Sequence, residues 1–72
     1  MNDLRNIRQD LVAELQGISE YQDHIDAAEN DEVREILATI RDEEKKHVAI
    51  LMSLINRLDE VQAAHFNTES WA

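Results

Sequence analysis

Two runs of helical hydrophobic spacing, separated by a short polar break, constrain this chain more than any other feature. The first run holds Leu4, Ile7, Leu11, Leu15, Ile18, Ile25 and Ala28, and the second Val33, Leu37, Ile40, Leu51, Leu54, Leu58 and Val61. Such spacing marks one face of an α-helix. Between the runs lies Glu29-Asn30-Asp31-Glu32, in which Asn30 suits a helix end or an N-cap and Asp31 suits an N-cap. So short a connection forces the two helices antiparallel. The expected fold is all-α: an antiparallel two-helix hairpin that dimerises into a four-helix bundle. Residues 1–62 form the hairpin, with helix 1 over about 3–29 and helix 2 over about 31–60, and 63–72 form a C-terminal tail that loses the pattern. Phe66 and Trp71 in that tail are candidates to dock on the hairpin or on another subunit.

Composition narrows the function classes. With 72 residues there is one domain at most, and a chain this short buries a thin core that needs help from a metal or from oligomerisation. Cys is absent, which excludes disulfides, thiolate zinc sites and iron–sulfur clusters. Pro is absent and Gly occurs once, as suits long helices. A formal charge of −9 disfavours nucleic acid as a partner and attracts cations. The most apolar run, Val48 to Ile55, is far shorter than a membrane span and contains Ser53. No membrane partner is expected. The N-terminus lacks a basic-then-apolar signal pattern, so a cytoplasmic location is expected.

The chemistry sits where the apolar pattern fails. Written as a heptad, helix 1 has Leu4, Leu11, Ile18 and Ile25 at a, and Ile7, Glu14, Tyr21 and Ala28 at d. Glu14 is a carboxylate mid-seam, where Leu is preferred. The seam of helix 2 reads Val33, Leu37, Ile40, Glu44, His47, Leu51, Leu54, Leu58 and Val61, with Ile36, Val48, Met52 and Ile55 as a second apolar stripe. Its two polar members, Glu44 and His47, are three residues apart, a spacing that puts both on one helix face within reach of one metal ion. With the turn centred between Asn30 and Asp31, Glu14 is level with His47, and Glu44 lies one turn away. That layer is roughly 25 Å from the turn at 1.5 Å per residue. Buried carboxylates without partners are costly, and a shared cation accounts for all three residues.

Two carboxylates and one imidazole per hairpin suit iron or manganese, whereas structural zinc usually takes more His or Cys. Di-iron carboxylate bundles use a Glu from each of two helices and a Glu-x-x-His from each of the other two. One hairpin supplies half of that set. Two hairpins about a two-fold axis supply all of it, so the sequence points to a homodimer as the minimal unit. The alternative is a polar seam layer that sets register and oligomer state without metal. Tyr21 reads either as a packed aromatic or as a hydrogen-bond donor to a ligand carboxylate. His24, His65, Glu20, Glu43, Asp23 and Asp26 read as solvated. Gly17 costs about 1 kcal/mol against Ala inside a helix. It reads either as neutral drift or as room for a neighbouring helix.

Glu14, Tyr21 and the run Asp42-Glu43-Glu44-Lys45-Lys46-His47 together resemble the encapsulated ferritins, the two-helix branch of the ferritin-like and rubrerythrin superfamily. The resemblance covers about Leu11 to Leu58. It implies a ferroxidase centre formed only between subunits, with Glu14 and His47 as terminal ligands, Glu44 as the bridging carboxylate and Tyr21 beside the site. It also implies oxidation of Fe(II) to Fe(III) by dioxygen, and rings of dimers, commonly decamers, enclosed in an encapsulin shell. The chain departs from the family at Ala13 and Gln16, where members often carry metal-gathering carboxylates. Its last residues, Asn67 to Ala72, do not resemble the Gly- and Leu-containing docking peptide of the family.

The expected function is therefore a di-iron ferroxidase for iron storage or detoxification, with Glu14, Glu44 and His47 as catalytic metal ligands and manganese or zinc as possible substitutes. Competing readings are a non-enzymatic helical assembly module and a rubrerythrin-like peroxide reductase.

Overall fold

A computed structural model of the chain describes residues 2–67. The described residues form three helices and no strand: α1 (Asp3–Ala27), α2 (Asp31–Leu58) and α3 (Glu60–Phe66). The first two pack antiparallel as a hairpin, the all-α fold expected from the two periodic runs. None of the described helices is long and apolar enough to cross a membrane.

The turn is built by side chains that complete orphaned backbone groups. Asn30 adopts an extended backbone and its side chain accepts from the Val33 N–H at 3.0 Å, capping α2. Arg34 reaches back from the first turn of α2. It donates to the Ala28 carbonyl at 2.6 Å and to the Asp31 carboxylate at 2.7 Å. Helix α1 stops at Ala27, two residues short of the expected Glu29. Ala28 is already extended, with φ −68° and ψ 134°, because the chain must cross to the cap position at Asn30 within three residues.

Packing between α1 and α2 follows the expected seam on α1 and departs from it on α2. Leu4, Ile7, Leu11, Glu14, Ile18, Tyr21 and Ala28 are half-buried and Ile25 is buried. On α2 Leu37, Ile40, Arg41, Glu44, Val48, Leu51 and Leu54 are half-buried and Ile55 is buried. Val48 and Ile55, assigned from the sequence to a second stripe, belong to the inner one. Val33, His47, Leu58 and Val61 of the expected seam are exposed. The face is rotated by part of a turn because Arg41 can lie in it. Its guanidinium donates to the Gln22 side chain at 2.9 Å and pairs with Asp42, while its methylenes cover apolar surface.

The hairpin buries little by itself. Among the described residues only Ile25 and Ile55 are buried hydrophobics, and Val12, Leu15, Val33, Ile36, Ile50, Met52, Leu58, Val61 and Phe66 are exposed. An exposed apolar surface of this extent on so small a domain signals an interaction face.

The region from Glu60 differs from the expected tail. Asp59 is extended and breaks the helix; its side chain accepts from the Gln62 N–H at 3.0 Å and so starts α3. Arg8 of α1 donates to the Asp59 carboxylate and to the Gln62 side chain at 2.7 Å. The Gln62 N–H and then Arg8 hold the Asp59 carboxyl below its ordinary range. Phe66 returns to the outer side of α2, where it lines a shallow hollow with Met52, Ser53 and Asn56. Trp71 lies outside the described residues.

Candidate metal centre

The antiparallel pairing sets the layer in which the polar seam residues meet. Glu14 projects from the middle of α1, and Glu44 and His47 project from successive turns of α2. The Glu14 Oε1 lies 3.3 Å from the His47 Nδ1. One ligand atom from each of Glu14, Glu44 and His47 lies within 4.8 Å of the other two. Donors about 2.0–2.2 Å from a common ion are separated by no more than roughly 4.4 Å, so small side-chain rotations bring all three onto one cation.

The environment of each donor differs. Glu44 is half-buried. The Glu14 side chain is 26% exposed, but its Oε2 is buried and has no hydrogen-bond partner. An orphaned carboxylate oxygen is costly in a protein interior, and a cation satisfies it without a proton donor. The His47 side chain is 48% exposed. It stands at the edge of the hairpin, in an open groove lined by Asp10, Ala13, Glu14, His47, Ile50 and Leu51. The three residues thus present their donors at a surface rather than inside a closed cage.

The donor set is two carboxylates and one imidazole, which suits iron or manganese by hardness and leaves coordination positions open. Tyr21 is not part of this cluster. Its ring meets His24 edge-on, with centroids 6.5 Å apart, and the two line a small hollow with Glu20. Glu43, the other carboxylate spaced to reach His47, is exposed and lies off the inward face. Asp10 is the groove residue that the sequence reading missed. The available signal was its position four residues before Glu14, which places both on one side of α1.

A family model described as EncFtn-like matches residues 1–71. The chain is 48% identical over 61 residues to the encapsulin nanocompartment cargo protein EncC of Myxococcus xanthus, covering 85% of this chain and 47% of that protein. It is 36% identical over 66 residues to the cargo protein EncB of the same organism, covering 92% of this chain and 42% of EncB. To an encapsulated ferritin-like protein of Rhodospirillum rubrum it is 36% identical over 58 residues, covering 81% and 41% of the two chains. The chain thus spans less than half the length of these curated relatives. No solved structure matches it.

Proposed function

Given that this chain belongs to the EncFtn-like family, we propose that it is a ferroxidase, oxidising Fe(II) to Fe(III) with dioxygen at a centre completed by two copies of the hairpin. The observation that supports this reading best is the convergence of Glu14, Glu44 and His47 in one layer of the helix pair. Each Fe(II) loses one electron, so the two Fe(II) of a dimer reduce one dioxygen, with two protons from water, to hydrogen peroxide.

The residues divide the work by position. Glu44 sits at the centre of the inward face, where its two oxygens can each serve one ion of a pair. Glu14 and His47 flank it as terminal ligands. Tyr21 is assigned a hydrogen bond toward the ligand carboxylates in the assembled centre. The orphaned Glu14 oxygen supplies a donor site that Fe(II) enters without first displacing a proton donor. Apolar Ile50 and Leu51 beside the site would limit water around it once a second copy covers the groove, and the net charge of −9 raises the local cation concentration.

A single hairpin offers two carboxylates and one imidazole, half of a di-iron carboxylate set. A two-fold partner adds the other half and covers the exposed apolar residues around His47. The homodimer is thus the working unit, and rings of such dimers extend it. The names of the relatives associate them with encapsulin nanocompartments. We assign this chain to the same setting, inside a shell in the cytoplasm.

The test is an anaerobic Fe(II) titration followed by dioxygen, read by oxygen uptake, ultraviolet absorbance and native mass spectrometry. The reading requires two irons per dimer and oxygen consumption that scales with them. Full metal content on a monomer, or bound iron that air does not oxidise faster than free iron, would overturn it.

A further inference from the structure

The only glycine of the chain lies against the central carboxylate of the proposed centre. A Cβ built on Gly17 would stand 3.3 Å from Glu44 Oε2, 3.5 Å from its Cδ and 3.9 Å from its Oε1. All three nearest atoms belong to the Glu44 side chain, so the closest neighbour from across the hairpin is its carboxylate. Gly17 has no positive φ, and its backbone is ordinary α-helix that any residue adopts. Glycine here therefore has a cost in helix stability, about 1 kcal/mol against Ala, that no backbone requirement explains. The one feature it provides is space, and the Glu44 carboxylate fills that space.

We infer that Gly17 is a positioning residue for Glu44: the missing Cβ lets the Glu44 carboxylate lie flat against α1, in the layer where it converges with Glu14 and His47. This inference rests on the proposed metal centre for its consequence, though not for the contact itself. A methyl group at 17 crowds Glu44 Oε2 at a distance tighter than ordinary van der Waals contact. The carboxylate must shift by a few tenths of an ångström, which a flexible Glu can absorb in part. A branched four-carbon side chain fills the space outright and drives the carboxylate off α1. The loss should therefore be graded by side-chain size, and it should run opposite to helix stability.

The experiment compares wild type with Gly17→Ala and Gly17→Leu. The first readout is metal-free: the Glu44 carboxyl carbon resonance by NMR at fixed pH. The inference requires this resonance to move in both variants, more in Leu than in Ala, while the Glu20 and Glu60 resonances stay in place. An unmoved Glu44 resonance in Gly17→Leu overturns the contact, whether or not the protein binds metal.

The second readout is anaerobic Fe(II) affinity by calorimetry, with helical content checked by circular dichroism. Gly17→Ala should melt higher than wild type when metal-free and bind Fe(II) about threefold more weakly. Gly17→Leu should lose at least tenfold while remaining helical. If Gly17→Leu binds Fe(II) within threefold of wild type, the positioning role is wrong. If wild type binds no Fe(II) while the Glu44 resonance still responds, the contact stands and the metal reading falls. If the variants weaken metal-free dimerisation and leave metal affinity per dimer unchanged, the glycine serves helix approach between copies, and the positioning role is again overturned.

Discussion

Replacing Glu14 with Leu should change the stability of this protein in opposite directions with and without metal. Glu14 occupies a seam position where Leu is preferred, and its Oε2 is buried without a hydrogen-bond partner. Leaving such a group unsatisfied costs about 1–3 kcal/mol. The side chain is 26% exposed, so the low end, about 1 kcal/mol, is appropriate. For a domain of this size that raises the metal-free melting temperature by roughly 4–8 °C. With metal the sign reverses. A ligand at a hundredfold excess over its Kd stabilises the form it binds by about 2.7 kcal/mol, and Glu14→Leu removes one of the donors that hold it. His47 loses its partner at 3.3 Å in the variant, but its exposed imidazole is served by water. The assay is thermal unfolding by circular dichroism at fixed protein concentration, once with chelator and once with anaerobic Fe(II). Glu14→Leu should be the more stable protein in the first series and the less stable in the second. A variant that keeps the full metal-induced shift, or that melts well below wild type in chelator, would refute the reasoning.

Two further outcomes follow from the proposed roles. Glu44→Ala should abolish rapid oxidation, since the proposed bridging carboxylate contacts both ions. Tyr21→Phe should reduce the rate mildly and keep the iron content; near-native rates in the first, or loss of iron in the second, would reverse the assignments. The Asp59 carboxyl, held below its ordinary range by the Gln62 N–H and by Arg8, should keep α3 in place until acid pH. Because the folded form has the lower pKa, its contribution is present above the unfolded value and is lost as pH falls through the folded one. Amide resonances of residues 61–66 should hold steady from pH 7 to about 4 and change below that. In Asp59→Asn, which keeps a capping acceptor without the charge, this dependence should vanish; an identical profile in both proteins would remove Asp59 as its cause.

The hairpin was legible because its determinants are local. The polar break at Glu29–Glu32 and the capping chemistry of Asn30 act within a few residues, and the antiparallel pairing follows from the length of the connection alone. That pairing also accounts for the layer shared by Glu14 and His47. What failed was the rotation of α2. Positions 47 and 58 read as seam but are exposed, while Arg41, read as outside it, lies in the inward face by bonding Gln22 and Asp42. A tertiary partner overrode the hydrophobic pattern, and no partner is visible in a pattern. The restart of the helix at Asp59 was legible in principle, since Asp at a cap with Gln three residues on is an N-terminal signal. It was masked by Val61, which continued the apolar spacing of α2. Gly17 was ambiguous for a different reason: its neighbour, Glu44, is a side chain from another helix, brought there by the pairing of α1 with α2.

The rotation has a consequence for assembly. At 100° per residue, Ile36, Ile40, His47, Ile50, Leu54 and Leu58 fall within a sector of roughly 80° on α2, and Ile36, His47, Ile50 and Leu58 of these are exposed. The imidazole therefore sits inside an apolar stripe that the hairpin itself leaves uncovered. A second copy seated on that stripe covers the apolar residues and brings its own donors to the first copy's site, so association and metal binding become one event in the proposed dimer. Ile36→Lys separates the two. Ile36 is 53% exposed, so a lysine there leaves the free hairpin intact. It lies three turns from His47, roughly 16 Å along the helix, beyond the screening length of about 8–10 Å at physiological salt. Direct repulsion of the metal is then small, whereas burying an unpaired ammonium in the interface is costly. The expected result is a dimer dissociation constant raised at least tenfold, by light scattering across a dilution series. Fe(II) affinity should be lost over the same concentration range and restored at high protein concentration. If the variant is monomeric and still binds Fe(II) as tightly as wild type, one hairpin holds the metal alone and the shared centre is wrong.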